Sequence, residues 1–196
     1  MDQLPAVGPC NVLLDMIRSD RFAVVRLTEI FRQARQSQIV VNAHLVREGK
    51  FPRLRPSDPD RLLDFYFIEK DEPEDVLEVI VKLCRDRIPA RFKLDPVADI
   101  QVLTPMNRGT IGPHRLNRAL QEALNPQPEA LVRGGTAYRL HDKVMQVRNN
   151  YDKEVFNGDL GRIRKIDAEN QEVGVEVDGR LVVYDFSELD ELVLAY

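Results

Sequence analysis

The chain has 196 residues, 43% hydrophobic and 31% charged, which allows one large or two small globular domains of ordinary composition. No apolar run approaches the ~20 residues a membrane-spanning helix needs, and the first twenty residues lack the basic start and apolar middle of a secretion signal. The net charge of −4 speaks against nucleic acid in bulk, but residues 1–57 carry nine basic and five acidic side chains, 137–165 seven and four, and 166–196 one and nine. A local basic face can coexist with an acidic whole, and a mixed, solvated surface would give the same segment charges.

In chain order, Asn11 reads as the cap of a short helix with Val12, Leu13, Met16 and Ile17 inward. "FAVVRL" follows as a strand. It runs into "LTEIFRQ", which places an acid, an aromatic, a guanidinium and an amide within Glu29 to Gln33. Ser37 caps a second helix, with Ile39, Val40, Ala43 and Val46 inward and Gly49 at its end. "DFYFIEK" reads as the next strand. A helix then starts at Asp71 with Pro73 in its first turn, and Val76, Val79, Ile80, Leu83 and Cys84 form one stripe. "DIQVLTP" is another apolar strand, and Leu116, Ala119, Leu120, Ala123 and Leu124 mark a further helix. Strand–helix alternation predicts βαβ units, hence an α/β fold with a largely parallel sheet.

The pattern changes near Pro126. "NPQPEALVRGGTA" reads as a linker, with residues 131–136 at its centre, and no helix is expected beyond Tyr138. "DKVMQVR" is a strand, Asn157-Gly158 a tight turn, and Val173, Val175 and Val177 alternate into Asp178-Gly179, which predicts a β-hairpin with "RLVVYDF". Residues 137–196 are thus expected to form a small antiparallel barrel of SH3-like or OB-like type.

Self-contained catalytic patterns are missing: no G-x-x-x-x-G-K-[ST], no G-x-S-x-G and no H-E-x-x-H. His44, His114 and His141 are scattered, and Cys10 and Cys84 fit no metal spacing and read as free thiols of a reducing cytoplasm. Ligands of parallel sheets lie beyond strand C-termini, so Arg32, Gln33, Asn107 and Arg108 are expected around one crevice. Asn149, Asn150 and Tyr151 follow a strand. They are either turn residues, the reading spacing alone favours, or a surface for bases and phosphates.

Four segments, "DQLPAVGPCNVL", "LTEIFRQ", "VLTPMNRG" and "DKVMQVRNNYDKEVFNGDLG", in that order resemble the bacterial RecD-like DNA helicases of superfamily 1, closest to their stand-alone branch. The first is similar to the end of helicase motif III, the second to motif IV, the third to a strand–loop of the second motor domain, and the fourth to the opening of an SH3-like insert. The resemblance implies a piece of such a helicase. Residues 1–130 would be part of the second RecA-like motor domain and 137–196 the insert, with the ATP-binding motifs of the first motor domain lying elsewhere.

The full protein would use ATP and Mg2+, translocate 5′ to 3′ on single-stranded DNA and unwind duplex in DNA repair or recombination, whereas this chain alone would be inactive. Arg32 would reach the ATP γ-phosphate across the interdomain cleft as the catalytic arginine, with Gln3 and Gln33 beside the nucleotide. A guanidinium suits that task because its fixed donors match phosphoryl oxygens. From the residues alone, a surface ion pair of Arg32, with Glu29 as its partner, is the favoured reading. Lys143, Arg148, Asn150, Tyr151 and Lys153 of the insert, with Asn107 and Arg108 of the motor domain, would contact DNA. Two other readings stay open: a non-catalytic module binding nucleic acid or protein, and part of a conjugative relaxase–helicase. Cys10 stands where the family commonly has glycine. An incomplete motor sheet predicts an exposed edge or apolar face and a dimer through it.

Overall fold

The computed structural model describes residues 11–25, 37–54, 63–105, 108–128 and 131–196. The chain forms two compact units, Met1–Glu69 and Lys70–Tyr196.

In the first unit, α1 (Val12–Arg18) and α2 (Gln38–Arg47) begin at the expected caps: Asn11 Oδ1 accepts from Leu14 N at 3.3 Å and Ser37 Oγ from Val40 N at 3.2 Å. Gly49 (φ +70°) ends α2, with Lys50 N donating to Leu45 O at 2.8 Å. The expected inward stripes stay largely exposed, and Asn42 is the buried residue of α2. Its amide brackets the Arg53 backbone, donating to Arg53 O at 3.1 Å and accepting from Arg53 N at 2.8 Å. The Asp64 carboxylate accepts from the Ser37 hydroxyl and from Gln38 N.

In the second unit, α3 (Pro73–Lys82) runs through a π-helical turn (Leu83–Arg87) into α4 (Ile88–Phe92), and Glu72, not Asp71, is its cap residue with Pro73 at the first helical position. Cys84 is buried on the stripe. Helix α5 (Pro113–Leu124) starts at Gly112, where a Cβ would stand 2.9 Å from the Arg108 backbone, so only glycine allows that close approach.

The expected linker is a hairpin instead. β1 (Leu131–Arg133) and β2 (Thr136–Tyr138) pair across Gly134-Gly135, both at positive φ. The two glycines that suggested a linker supply the left-handed backbone a tight turn requires.

The remaining strands, β3 (Lys143–Gln146), β4 (Leu160–Asp167), β5 (Glu172–Val177), β6 (Arg180–Asp185) and β7 (Leu192–Leu194), form one antiparallel sheet of order β6-β5-β4-β3-β7. The predicted hairpin is present, with Val177 opposite Arg180 and Asp178 (φ +49°) and Gly179 (φ +77°) in the turn. A 3₁₀ helix, Phe186–Glu191, precedes β7 where no helix was expected; Asp185 and Glu188 form its capping box.

The core of this sheet joins Val144, Val155, Ile163, Val173, Val175, Val182 and Tyr184. A second cluster joins Cys84, Val97, Leu120 and Tyr196.

No parallel sheet occurs among the described residues, and the described parts of "FAVVRL", "DFYFIEK" and "DIQVLTP" carry no strand. Several of their apolar side chains are open to solvent: Val25 is 89% and Leu103 87% exposed, and Phe67 and Ile68 are exposed as well, whereas Ile100 and Val102 pack against the second cluster. β-propensity describes a side chain that suits a pleated, half-buried surface; a ladder also needs a neighbouring strand.

Candidate nucleic-acid interface

Between β3 and β4 the chain makes a loop, residues 147–159, built around an antiparallel bridge of Asn150 and Val155. Its asparagines fold it. Asn149 Oδ1 accepts from Asn157 N at 2.9 Å and Asn150 Oδ1 from Lys153 N at 3.2 Å. Asn150 Nδ2 donates to Glu191, and Glu191 also accepts from Gln146 Nε2, whose Oε1 accepts from the buried Tyr184 hydroxyl at 3.0 Å. The loop is thus rooted in the sheet core. Burial pushes the Tyr184 hydroxyl up to about 12, with the nearby Glu191, Glu188 and Asp159 charges adding to it.

On this base stand the candidates. Tyr151 is 74% exposed and meets Phe156 edge to face, ring centres 5.9 Å apart. Arg148 is exposed and pairs with Asp190 at 2.9 Å. Lys153 lies over the Tyr184 ring at 5.3 Å, donates to Val183 O at 2.7 Å and pairs with Glu188 at 3.0 Å. Arg180–Glu154 is a further exposed pair. Exposed pairs such as it and Arg148–Asp190 are worth about 0–1 kcal/mol, so a phosphate can exchange for the carboxylate at little cost, whereas the Lys153–Glu188 pair is partly buried.

Arg148, Asn150, Tyr151 and Lys153 therefore come together in one loop, and Lys143 does not. Lys143 is buried, and its ammonium donates to Ile100 O at 3.0 Å. Desolvation holds its pKa below the ordinary lysine value, with the Asp95 charge opposing. Arg108 is exposed just before α5. Gln3, Arg32, Gln33, Asn107 and Cys10 lie outside the described residues. Among the described residues no group of His, Cys, Asp or Glu could hold a metal ion, and no helix is long and apolar enough to cross a membrane.

Sequence reading missed Phe156, Gln146 and Glu191. Gln146 shares the inward parity of Val144 on β3, so a polar residue at a core position was the available signal.

Residues 116–177 match the family described as the ATP-dependent RecD-like DNA helicase SH3 domain. The whole chain aligns with an ATP-dependent RecD2 DNA helicase of Deinococcus radiodurans at 32% identity over 195 residues, and spans 25% of that relative's length. Among solved structures, a Pif1 helicase from Bacteroides in complex with ADP-AlF3 and ssDNA covers 94% of this chain and 42% of its own at 18% identity, with a TM-score of 0.45. Along its length the chain is thus similar to a RecD-like DNA helicase, and residues 116–177 correspond to the SH3 domain of such helicases.

Proposed function

We propose that the protein containing this chain is an ATP-dependent DNA helicase that uses ATP and Mg2+ to move 5′ to 3′ along single-stranded DNA and to unwind duplex in the cytoplasm, in repair or recombination. The observation that carries this reading is the alignment with a RecD2 helicase along the entire chain. In this reading the residues before 131 belong to the second, parallel-sheet motor domain, and 137–196 are its SH3-like insert. Arg32 stabilises charge on the γ-phosphate, Gln3 and Gln33 flank the nucleotide, and the first motor domain supplies the ATP-binding loop. The chain by itself hydrolyses no ATP.

On the DNA side the contact is the 147–159 loop. Tyr151 offers an exposed ring for base stacking, Arg148 a guanidinium for phosphate, and Asn150 and Lys153 fix the loop. Asn107 and Arg108 reach the DNA backbone separately. Lys143 drops out of the contact set because its ammonium is buried.

The test is fluorescence anisotropy of the chain with labelled oligo-dT at two salt concentrations. Binding should weaken with salt and fall about tenfold in Tyr151→Ala, the loss of one stacked base. No binding at low salt, or unchanged binding by the variant, overturns the loop as the DNA contact.

A groove of about 890 Å³ beside α5 is lined by Leu103, Val132, Leu160 and Val193. In the isolated chain a second copy covers it; a monomer at all concentrations in sedimentation equilibrium would refute this.

A further inference from the structure

We infer that the buried carboxylate of Asp142 is a mechanical joint that locks α5 and Tyr196 to the turn leading into β3 of the five-stranded sheet, so that a displacement of α5 carries the sheet with it. Asp142 is fully buried. Its Oδ1 accepts from Asn125 Nδ2 at 2.8 Å and the Tyr196 hydroxyl at 2.7 Å. Its Oδ2 accepts from Gln121 Nε2 at 2.6 Å and Arg139 N at 2.7 Å. Both oxygens are thus filled by neutral donors from three parts of the chain: α5 with its cap, the β2–β3 turn and the terminal tyrosine.

The donors also hold β2 and the turn that follows it directly. Gln121 Nε2 donates to Ala137 O and Asn125 Nδ2 to Leu140 O, each at 2.9 Å. One turn earlier Asn117 repeats the arrangement, donating to Leu194 O at 2.7 Å and accepting from Tyr196 N at 2.8 Å. Asn117, Gln121 and Asn125 are four residues apart, so they form one amide stripe along the helix.

The kind of contact decides what the joint can do. Apolar faces tolerate small slides, because burial is non-directional. Hydrogen bonds to a buried carboxylate do not. A slip of α5 by one turn, about 5.4 Å, would break the amide contacts and leave a desolvated charge with fewer donors. The joint therefore has a single register, and it passes translation as well as rotation.

The experiment uses the 196-residue chain with Cys10→Ser and Cys84→Ser, spin-labelled at Arg118→Cys on α5 and Leu181→Cys on β6. Electron–electron dipolar spectroscopy should give one narrow distance distribution. Asp142→Asn keeps the shape but turns a donor toward donors, and should broaden that distribution. In parallel, amide exchange should rise tenfold or more over α5 and Leu194–Tyr196, while β4 and β5 stay within about twofold. Tyr196→Phe removes one donor and should give a smaller rise confined to the same two places; it decides alone if Asp142→Asn is insoluble. An unbroadened distribution with unchanged α5 exchange overturns the joint. So does a uniform rise over α5, β4 and β5, which would make Asp142 a general support of the fold.

Discussion

Helices α2 and α5 both carry apolar residues at helical spacing, far more cleanly segregated to one face in α5, and they meet different fates. In α5, Leu116 and Leu120 are buried, and Leu120 joins a core cluster with Cys84, Val97 and Tyr196. In α2, Ile39 and Val46 are exposed, and among the described residues of Met1–Glu69 no hydrophobic side chain is buried. Polar contacts bind the first unit instead: the Asn42 amide on the Arg53 backbone and the Asp64 carboxylate on the α2 cap. An amphipathic pattern therefore marks a face and leaves its partner unnamed. The second unit is stabilised through burial, and the described residues of the first are joined by directional bonds worth about 1 kcal/mol each.

The sharpest break of this comparison is a pair of truncations. Ile163→Ala removes a fully buried side chain from the sheet core and should destabilise β4 and β5 by about 2–5 kcal/mol. Ile39→Ala on α2, at an exposed position, should change its helix by no more than about 0.5 kcal/mol. Residue-resolved amide exchange reads both, which suits a chain whose two units need not open together. Equal effects would show that α2 is buried in solution.

Alkali should separate the units next. Burial raises the Tyr184 hydroxyl to about 12; burial and the Asp142 contact raise Tyr196 further, and burial with the Asp142 charge raises Tyr138. A folded-state pKa raised above the unfolded value, about 10, contributes stability that is complete below 10 and is lost as pH climbs through the folded value. Loss of sheet circular dichroism between about pH 10 and 12 is expected. Tyr184→Phe should postpone its onset, and an onset unmoved by that variant would exclude Tyr184 as the trigger.

What could be read in advance follows the same division. The β5–β6 hairpin was legible because alternation and Asp-Gly are local signals, and Asn11 and Ser37 were legible as caps for the same reason. The β1–β2 hairpin was not, since three-residue strands are too short to show a period. The parallel strands expected at "FAVVRL", "DFYFIEK" and "DIQVLTP" depend on neighbours remote in sequence, which periodicity cannot supply. At the candidate site, Tyr151 was named from residue type and Arg148 from the family resemblance, and both are exposed on the 147–159 loop. Lys143 was misplaced because strand parity sets it opposite Val144 and Gln146, and its burial comes from a remote contact with Ile100 O. The amide stripe of Asn117, Gln121 and Asn125 was hidden beside the apolar stripe of the same helix.

The smallest effect tests the polar unit on its own terms. Asn42 satisfies both backbone groups of Arg53, so Asn42→Ala leaves a donor and an acceptor without their partner. Arg53 is exposed, and water can replace much of what is lost, so the cost should be about 1 kcal/mol, the net value of such a bond, well below a buried orphan. Asn42→Asp separates the two bonds: a carboxylate still accepts from Arg53 N but cannot donate to Arg53 O. The Arg53 amide should therefore remain protected from exchange in Asn42→Asp and become labile in Asn42→Ala. Equal protection in both variants would mean that the 50–54 segment is held by something other than Asn42, and that the first unit has a packing partner its exposed apolar side chains do not reveal.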